Sequence, residues 1–394
     1  MNAPERISNT IKLPTADGRL EDFRLSAPRN FPERAAGIFT RIAYSAAHVV
    51  ADPLKEQDPW LDCVIDWDTT IAYRRHLWRL GLGVAEAMDT AQRGMGMDWP
   101  TSLELIRRSI DASKDIKGAL LASGAGTDHL APEDAKTIDD VIRAYEEQVG
   151  AIEKLGGKII LMASRALAKV ATSPDDYHKV YDRILSQVKE PVVIHWLGEM
   201  FDPALAGYWG NADHMMAMDA ALEAINRNAA KVDGVKVSLL DKDKEIAMRR
   251  RLVKGVKMYT GDDFNYAELI EGDSEGYSHA LLGIFDAIAP AASAALTALA
   301  KDDSKTFNDI LAPTVPLSRH IFNAPTRFYK TGVVFMAYLT GRQDHFTMVG
   351  GQQSARSIGH LSELFRLADR AGLLRDTDLA CARMRATLAL HGLA

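Results

Sequence analysis

Cysteine is scarce: Cys63 and Cys381 are the two thiols in 394 residues. Their separation excludes a metal knuckle or a CxxC redox pair, and two thiols in so long a chain do not make a disulfide framework. A reducing cytoplasm is therefore the expected compartment. An excess of positive charge is also missing. Forty-seven Lys and Arg against 53 Asp and Glu leave a net charge of -6, which gives no electrostatic footprint for nucleic acid or an anionic membrane. Long apolar runs are missing too, since Val333 to Leu339 is too short to span a bilayer and Pro290 interrupts Ala287 to Ala300. Glu5, Arg6, Asp17, Arg19, Glu21, Asp22 and Arg24 crowd the first thirty residues, so neither a secretory signal nor an N-terminal anchor is expected. No glycine-rich nucleotide fingerprint occurs, and no organic cofactor is expected.

What is present is an ordinary globular composition, 47% apolar and 25% charged. Two short runs around Asp17-Gly18 read as a β-hairpin, because both turn residues tolerate positive φ. From Gly37 short apolar runs alternate with segments of helical period: Gly37 to Ala43, Gly83 to Asp89, Lys117 to Ser123, Lys158 to Ser164, Pro191 to Leu197, Val235 to Leu239, Val256 to Thr260 and Gly276 to Leu282. Between them, Tyr73, His76, Leu77 and Leu80 share a helical face, as do Val141, Ile142, Tyr145, Val149 and Ile152, and Ser173-Pro174-Asp175-Asp176 reads as a capped helix start. Eight βα units suit a closed (β/α)8 TIM barrel better than an open sheet. Helical segments near 304 to 322, 326 to 341, 355 to 371 and 377 to 392 follow. The expected organisation is an N-terminal β extension over residues 1–35, a barrel over 36–302 and a C-terminal helical extension over 303–394.

In such a barrel, chemistry sits at the carboxyl ends of the strands. Polar residues expected there include Asp89, Ser123, Ser164, Arg165, His195, Lys236, Thr260, Asp262, Asp263 and Ser278. Lys236, in Gly-Val-Lys-Val, is a charge on an apolar strand. Desolvation would favour its neutral amine, which can attack a carbonyl and form an imine; equally, it can snorkel to a carboxylate such as Asp241. Lys257 sits in the same Gly-Val-Lys triplet. His195 ends the neighbouring run and would lie about 4.8 Å away across the sheet, either as a proton shuttle or as a structural imidazole bonded to a backbone carbonyl. The triplet Arg249-Arg250-Arg251 reads as a solvated helix face.

One ordered set of residues resembles the dihydrodipicolinate synthase and N-acetylneuraminate lyase superfamily of class I aldolases. The set is Pro191-Val-Val-Ile-His195, Gly234-Val-Lys236, Thr260-Gly-Asp-Asp263, Gly276 with Pro290, Pro316-Leu with Phe322, and Tyr329-Lys330. The resemblance covers about residues 36–340 and implies that Lys236 is the Schiff-base lysine, since that family's Ser-Gly-Asp-type turn follows its lysine by about 25 residues and Gly261 lies 25 residues after Lys236. Two departures are visible. His195 stands where the family has a tyrosine, and Asp89-Thr-Ala-Gln-Arg-Gly94 stands in the region of its hydroxyl pair for 2-oxo carboxylates. The insertion Gly198 to Asn211, with Glu199, Asp202, Tyr208 and Trp209, is expected to reshape the pocket. The chain thus reads as a divergent branch.

The expected function is a carbon-carbon or carbon-oxygen lyase of class I aldolase type acting on a small carbonyl compound, a sugar derivative or a 2-oxo acid in catabolism. Lys236 and His195 are its expected catalytic residues, and Asp89, Ser123, Ser164, Arg165, Thr260, Asp262 and Ser278 its substrate contacts, with no metal. The resemblance also implies a homo-oligomer, dimer or tetramer. Two alternatives compete: a metal-dependent barrel lyase using Asp89, His195, Glu199 and His214, and a barrel that binds a sugar without turnover.

Overall fold

The computed structural model describes residues 9–393; Glu5 and Arg6 of the charged N-terminal stretch lie outside the described residues. The hairpin forms from β1 (Thr10–Pro14) and β2 (Leu20–Arg24), with Gly18 of the turn at φ 80°. The barrel strands are β3 (Ala43–Ala46), β4 (Gly83–Glu86), β5 (Leu121–Ala125), β6 (Ile159–Leu161), β7 (Val192–Leu197), β8 (Val232–Ser238), β9 (Lys257–Thr260) and β10 (His279–Leu282). Each pairs in parallel with the next, and β10 closes onto β3. The fold is therefore the expected TIM barrel. Its first strand is displaced from the expected Gly37 to Ala43, because Ile38 in that run is 94% exposed and pairing starts only at Ala43.

The two-residue period of a strand sorts the barrel's side chains into two cores. Tyr44, Ala85, Ala122, Ile160, Val193 and Leu281 meet inside it. Ala43, Val84, Ile159, Ile194, Val235 and Leu282 point outward onto the helices. Those helices begin where the sequence supplies a cap. Asp66 accepts the Thr69 amide at 3.0 Å ahead of the helix Trp67–Arg79, and Thr137 and Asp140 form a reciprocal capping box ahead of Ile138–Lys154. The helix Pro174–Gln187 starts after Ser173 without the expected hydroxyl cap; the amide and hydroxyl of Thr172 donate to Asp176 instead.

Beyond β10 the chain is helical. The expected segment 304 to 322 divides into Ser304–Leu311 and Val315–Ile321 around Pro313 and Pro316, and Tyr329–Leu339, Ile358–Arg370 and Thr377–Leu390 follow. Tyr329–Leu339 is buried along its whole length, which fixes its first turn at the barrel mouth. The N-terminal hairpin lies on this helical layer: the Ser26 amide donates to Asp369 at 3.0 Å, Arg366 donates to the Pro14 carbonyl at 2.9 Å, and Phe23 meets Phe365 edge-on. Among the described residues no helix is long and apolar enough to cross a membrane.

Candidate active site

On β8, Val235 and Val237 belong to the outer core, so Gly234, Lys236 and Ser238 face the barrel interior. Lys236 is 7% exposed, and among the described residues its amine makes no hydrogen bond. Burial pushes that amine below the ordinary lysine value, against the charges of Asp263 and Asp89, which favour its protonated form. Glycine makes the room: a Cβ on Gly261 would lie 2.7 Å from Lys236 Cε and 2.2 Å from Ser238 Oγ. Lys257 is a different kind of lysine. It is one third exposed and paired to Asp233 at 2.6 Å.

His195 is the register partner of Lys236 across the β7–β8 pair, and it faces inward with Val193. Its Nε2 lies 3.1 Å from Ser238 Oγ, and its buried Nδ1 has no partner. Burial, then the charge of Lys236, holds this imidazole well below the usual histidine value. It is therefore neutral at pH 7, and the backbone-carbonyl bond of a structural histidine is absent among the described residues.

A cavity of about 70 Å³ opens at the carboxyl ends of the strands, its wall including Asp89, Arg93, Thr127, Arg165, His195 and Asp202. A smaller one of about 20 Å³ shares Asp89, Arg93, Arg165 and Asp202 and adds Tyr329 and Lys330. Lys236 is not in either wall; its neighbours His195 and Asp89 are. This volume suits a substrate of a few carbon atoms rather than a drug-sized ligand.

The structure separates the expected substrate contacts. Asp89 and Arg165 line the cavity, with Arg165 Nε held by Asp202 of the insertion. Ser164 instead caps its helix, accepting the Leu167 amide at 2.9 Å, and reaches the cavity only through Thr127 at 2.6 Å. Asp262 spends its carboxylate on the following turn, accepting from Phe264 and Asn265. The next residue, Asp263, is the one whose charge acts on Lys236; burial raises its pKa, while the Ile284 amide and Lys236 oppose the rise. Ser123, Thr260 and Ser278 are corrections of another kind. Ser123 and Thr260 lie on the outward phase of β5 and β9, between outward Leu121 and Ala125 and after outward Met258, and Ser278 precedes β10 and donates to Glu245 on the helix Lys242–Arg251. None of the three reaches the interior. Arg249 on that helix is not solvated as expected but buried against Asp273, 2.7 Å away.

The alternative metal ligands do not gather. Glu199 bonds His214 at 3.1 Å while His195 bonds Ser238, and among the described residues no three His, Cys, Asp or Glu side chains converge as a metal site.

Several residues enter the site without a local signal in the sequence. Arg93 is 3% exposed and clamps Asp128 through Nε at 3.0 Å and a terminal nitrogen at 2.7 Å. Tyr329 Oη lies 2.8 Å from Thr90 Oγ1, and its ring stacks on Phe322. Lys330, 4% exposed, donates to the Arg327 carbonyl at 3.0 Å. Burial pushes it down to about 8, Asp89 opposing and Arg165 assisting. These last two sat in the ordered set of resembling residues, but nothing in their own neighbourhood marks them as cavity residues.

No curated protein matches the chain. Among solved structures it is similar to a prophage protein of the dihydrodipicolinic acid synthase family from E. coli K12 in complex with pyruvate, at TM-score 0.65 and 12% identity over 85% of this chain and 99% of that one. Dihydrodipicolinate synthase from Aquifex aeolicus gives TM-score 0.62 and 10% identity over 84% and 98%. The chloride-inhibited dihydrodipicolinate synthase from Acinetobacter baumannii complexed with pyruvate gives 0.61 and 15% over 84% and 99%. The barrel is thus the dihydrodipicolinate synthase fold in a divergent sequence. A family model matches residues 11–393 nearly end to end, and the chain belongs to the family described as protein of unknown function, DUF993.

Proposed function

We propose that this chain is a Schiff-base-forming class I aldolase or lyase acting on a small carbonyl compound, a sugar derivative or a 2-oxo acid. The observation that carries the proposal is the amine of Lys236, buried in the barrel, without a hydrogen bond, and paired in register with a neutral His195. The neutral, desolvated amine attacks the substrate carbonyl; the carbonyl oxygen leaves as water with one proton from the nitrogen and one from a neighbouring acid, and the resulting iminium accepts the electron pair of the adjacent carbon-carbon bond, or of the α-carbon-hydrogen bond, as that bond breaks. Asp263, buried and near enough for its charge to act on Lys236, is suited to take the amine proton and return it to the leaving hydroxyl. His195 moves the proton at the reacting carbon. Lys330 and Arg165 offer cations for a substrate carboxylate, and Asp89 an acceptor for its hydroxyls. The pyruvate complexes among the solved structures are those proteins' own; here they suggest the first compound to try. On this reading the enzyme is a cytoplasmic homo-oligomer, dimer or tetramer, with no organic cofactor.

The test is borohydride reduction in the presence of pyruvate, then of other 2-oxo acids and of aldoses, followed by peptide mapping. The expected adduct is on Lys236. An adduct on Lys330 or Lys257, or none with a compound the enzyme demonstrably turns over, removes the mechanism.

A further inference from the structure

A larger cavity, about 400 Å³, lies away from the barrel mouth, where the segment before the barrel, the helix Trp67–Arg79 and the C-terminal helices meet. Its polar wall includes Arg29, Glu33, His76, Arg342 and Arg375; Phe31, Pro290, Ala337 and Leu379 supply apolar surface. We propose that this crevice is a second binding site, for a small organic anion that presents a carboxylate or phosphate from an apolar body.

The argument is a count of donors against acceptors. Glu33 accepts from a terminal nitrogen of Arg342 at 3.1 and 3.2 Å and from one of Arg375. Arg29 spends one terminal nitrogen on the Asp309 carbonyl at 2.9 Å. Among the described residues, the remaining nitrogens of these three guanidiniums make no hydrogen bond. The two other carboxylates in the wall bond groups other than these arginines. Asp286 takes the amide and ring of His48 and the hydroxyl of Tyr73, and Asp376 accepts the Leu379 amide at 2.9 Å. The wall thus holds three carboxylates and three arginines, but among the described residues only Glu33 of these carboxylates bonds the guanidiniums, and the forks left over suit planar carboxylate or phosphate oxygens. His76, 3% exposed, adds a buried Nε2 without a partner. Burial, then Arg342, pushes its pKa down to about 4, so the ring enters at pH 7 as a neutral group. The volume falls within the range of ligand pockets.

The experiment is calorimetric titration at pH 7 with benzoate and phenyl phosphate, and with benzamide as the uncharged counterpart; whichever anion binds tighter identifies the headgroup. The expected result is binding of at least one anion, about tenfold or more tighter than benzamide. That binding should weaken at least about tenfold in Arg342→Gln/Arg375→Gln and persist in Lys236→Arg. Absence of anion binding, equal binding of benzamide, or loss in Lys236→Arg with retention in the double variant would overturn the proposal. Should the double variant not fold, carbon-13 histidine labelling of the unaltered protein decides. A titrating anion must move the His76 resonance; a saturated complex that leaves it in place places the ligand elsewhere.

Discussion

Two sets of buried charge lie on opposite faces of the same barrel. On the outer face Glu86 is fully buried, yet it receives Arg74 at 2.8 and 2.9 Å, the Ser109 hydroxyl and the Ala87 amide. Arg74 Nη1 donates to the carbonyls of His48 and Thr70, and Nη2, besides Glu86, reaches that of Ala47. On the inner face Lys236 has no hydrogen bond and His195 keeps a bare Nδ1. A buried charge that is fully paired holds elements together, because the desolvation cost is offset by its bonds. A buried amine left unpaired costs stability, and that is tolerable where the substrate supplies the missing partner.

The comparison breaks first at Lys236. Replacing it with Met should abolish turnover, by about 10³-fold or more once a substrate is in hand, while the melting temperature stays level or rises because an uncompensated amine has left the interior. A melting temperature that falls as far as it does for an outer-face variant would put Lys236 among the structural charges.

Glu86→Gln should do the reverse. It leaves Arg74 buried and short of its counter-charge, a loss of about 3–5 kcal/mol in chemical denaturation, with little change in kcat/KM for the protein that remains folded. Arg74→Met/Glu86→Leu should recover most of that loss, since the apolar pair leaves nothing unsatisfied. A double variant as unstable as the single one would mean that the pair stabilises beyond its geometry.

The same contrast explains what could be read from the sequence. The eight apolar runs declared the barrel because period and length are local properties, and Lys236 and His195 stood out as polar residues inside two of them. Which face a residue takes is a finer matter: a shift of one residue turns a side chain from the cavity to the helices, and this sent Ser123 and Thr260 outward. Asp262 and Asp263 are adjacent in the sequence, and only the turn that consumes Asp262 leaves Asp263 to Lys236. Arg93 meets Asp128 across 35 residues, and Tyr329 meets Thr90 across 239. Such pairs are set by closure of the barrel and docking of the C-terminal helices, not by local pattern.

The smallest expected effect sharpens the outer half of the contrast. Glu245 is buried on the outer side with the Ser278 hydroxyl donating to it at 2.7 Å, and burial raises its carboxyl to about 8. A folded-state value above the unfolded one means the native protein holds a proton that the unfolded chain has released. Its contribution is complete below the ordinary carboxylate range and declines as pH rises from about 4.5 towards 8, by at most about 1.4 kcal/mol per pH unit. Glu245→Gln keeps the acceptor oxygen for Ser278 and cannot ionise. Between about pH 5.5 and 6.5 its stability should therefore hold while that of the unaltered protein slopes downward, the contribution of other groups cancelling in the difference. Parallel slopes for the two proteins would mean that Glu245 is ionised in the fold, balanced by Arg249 as Glu86 is by Arg74, and the outer face would then contain ion pairs alone.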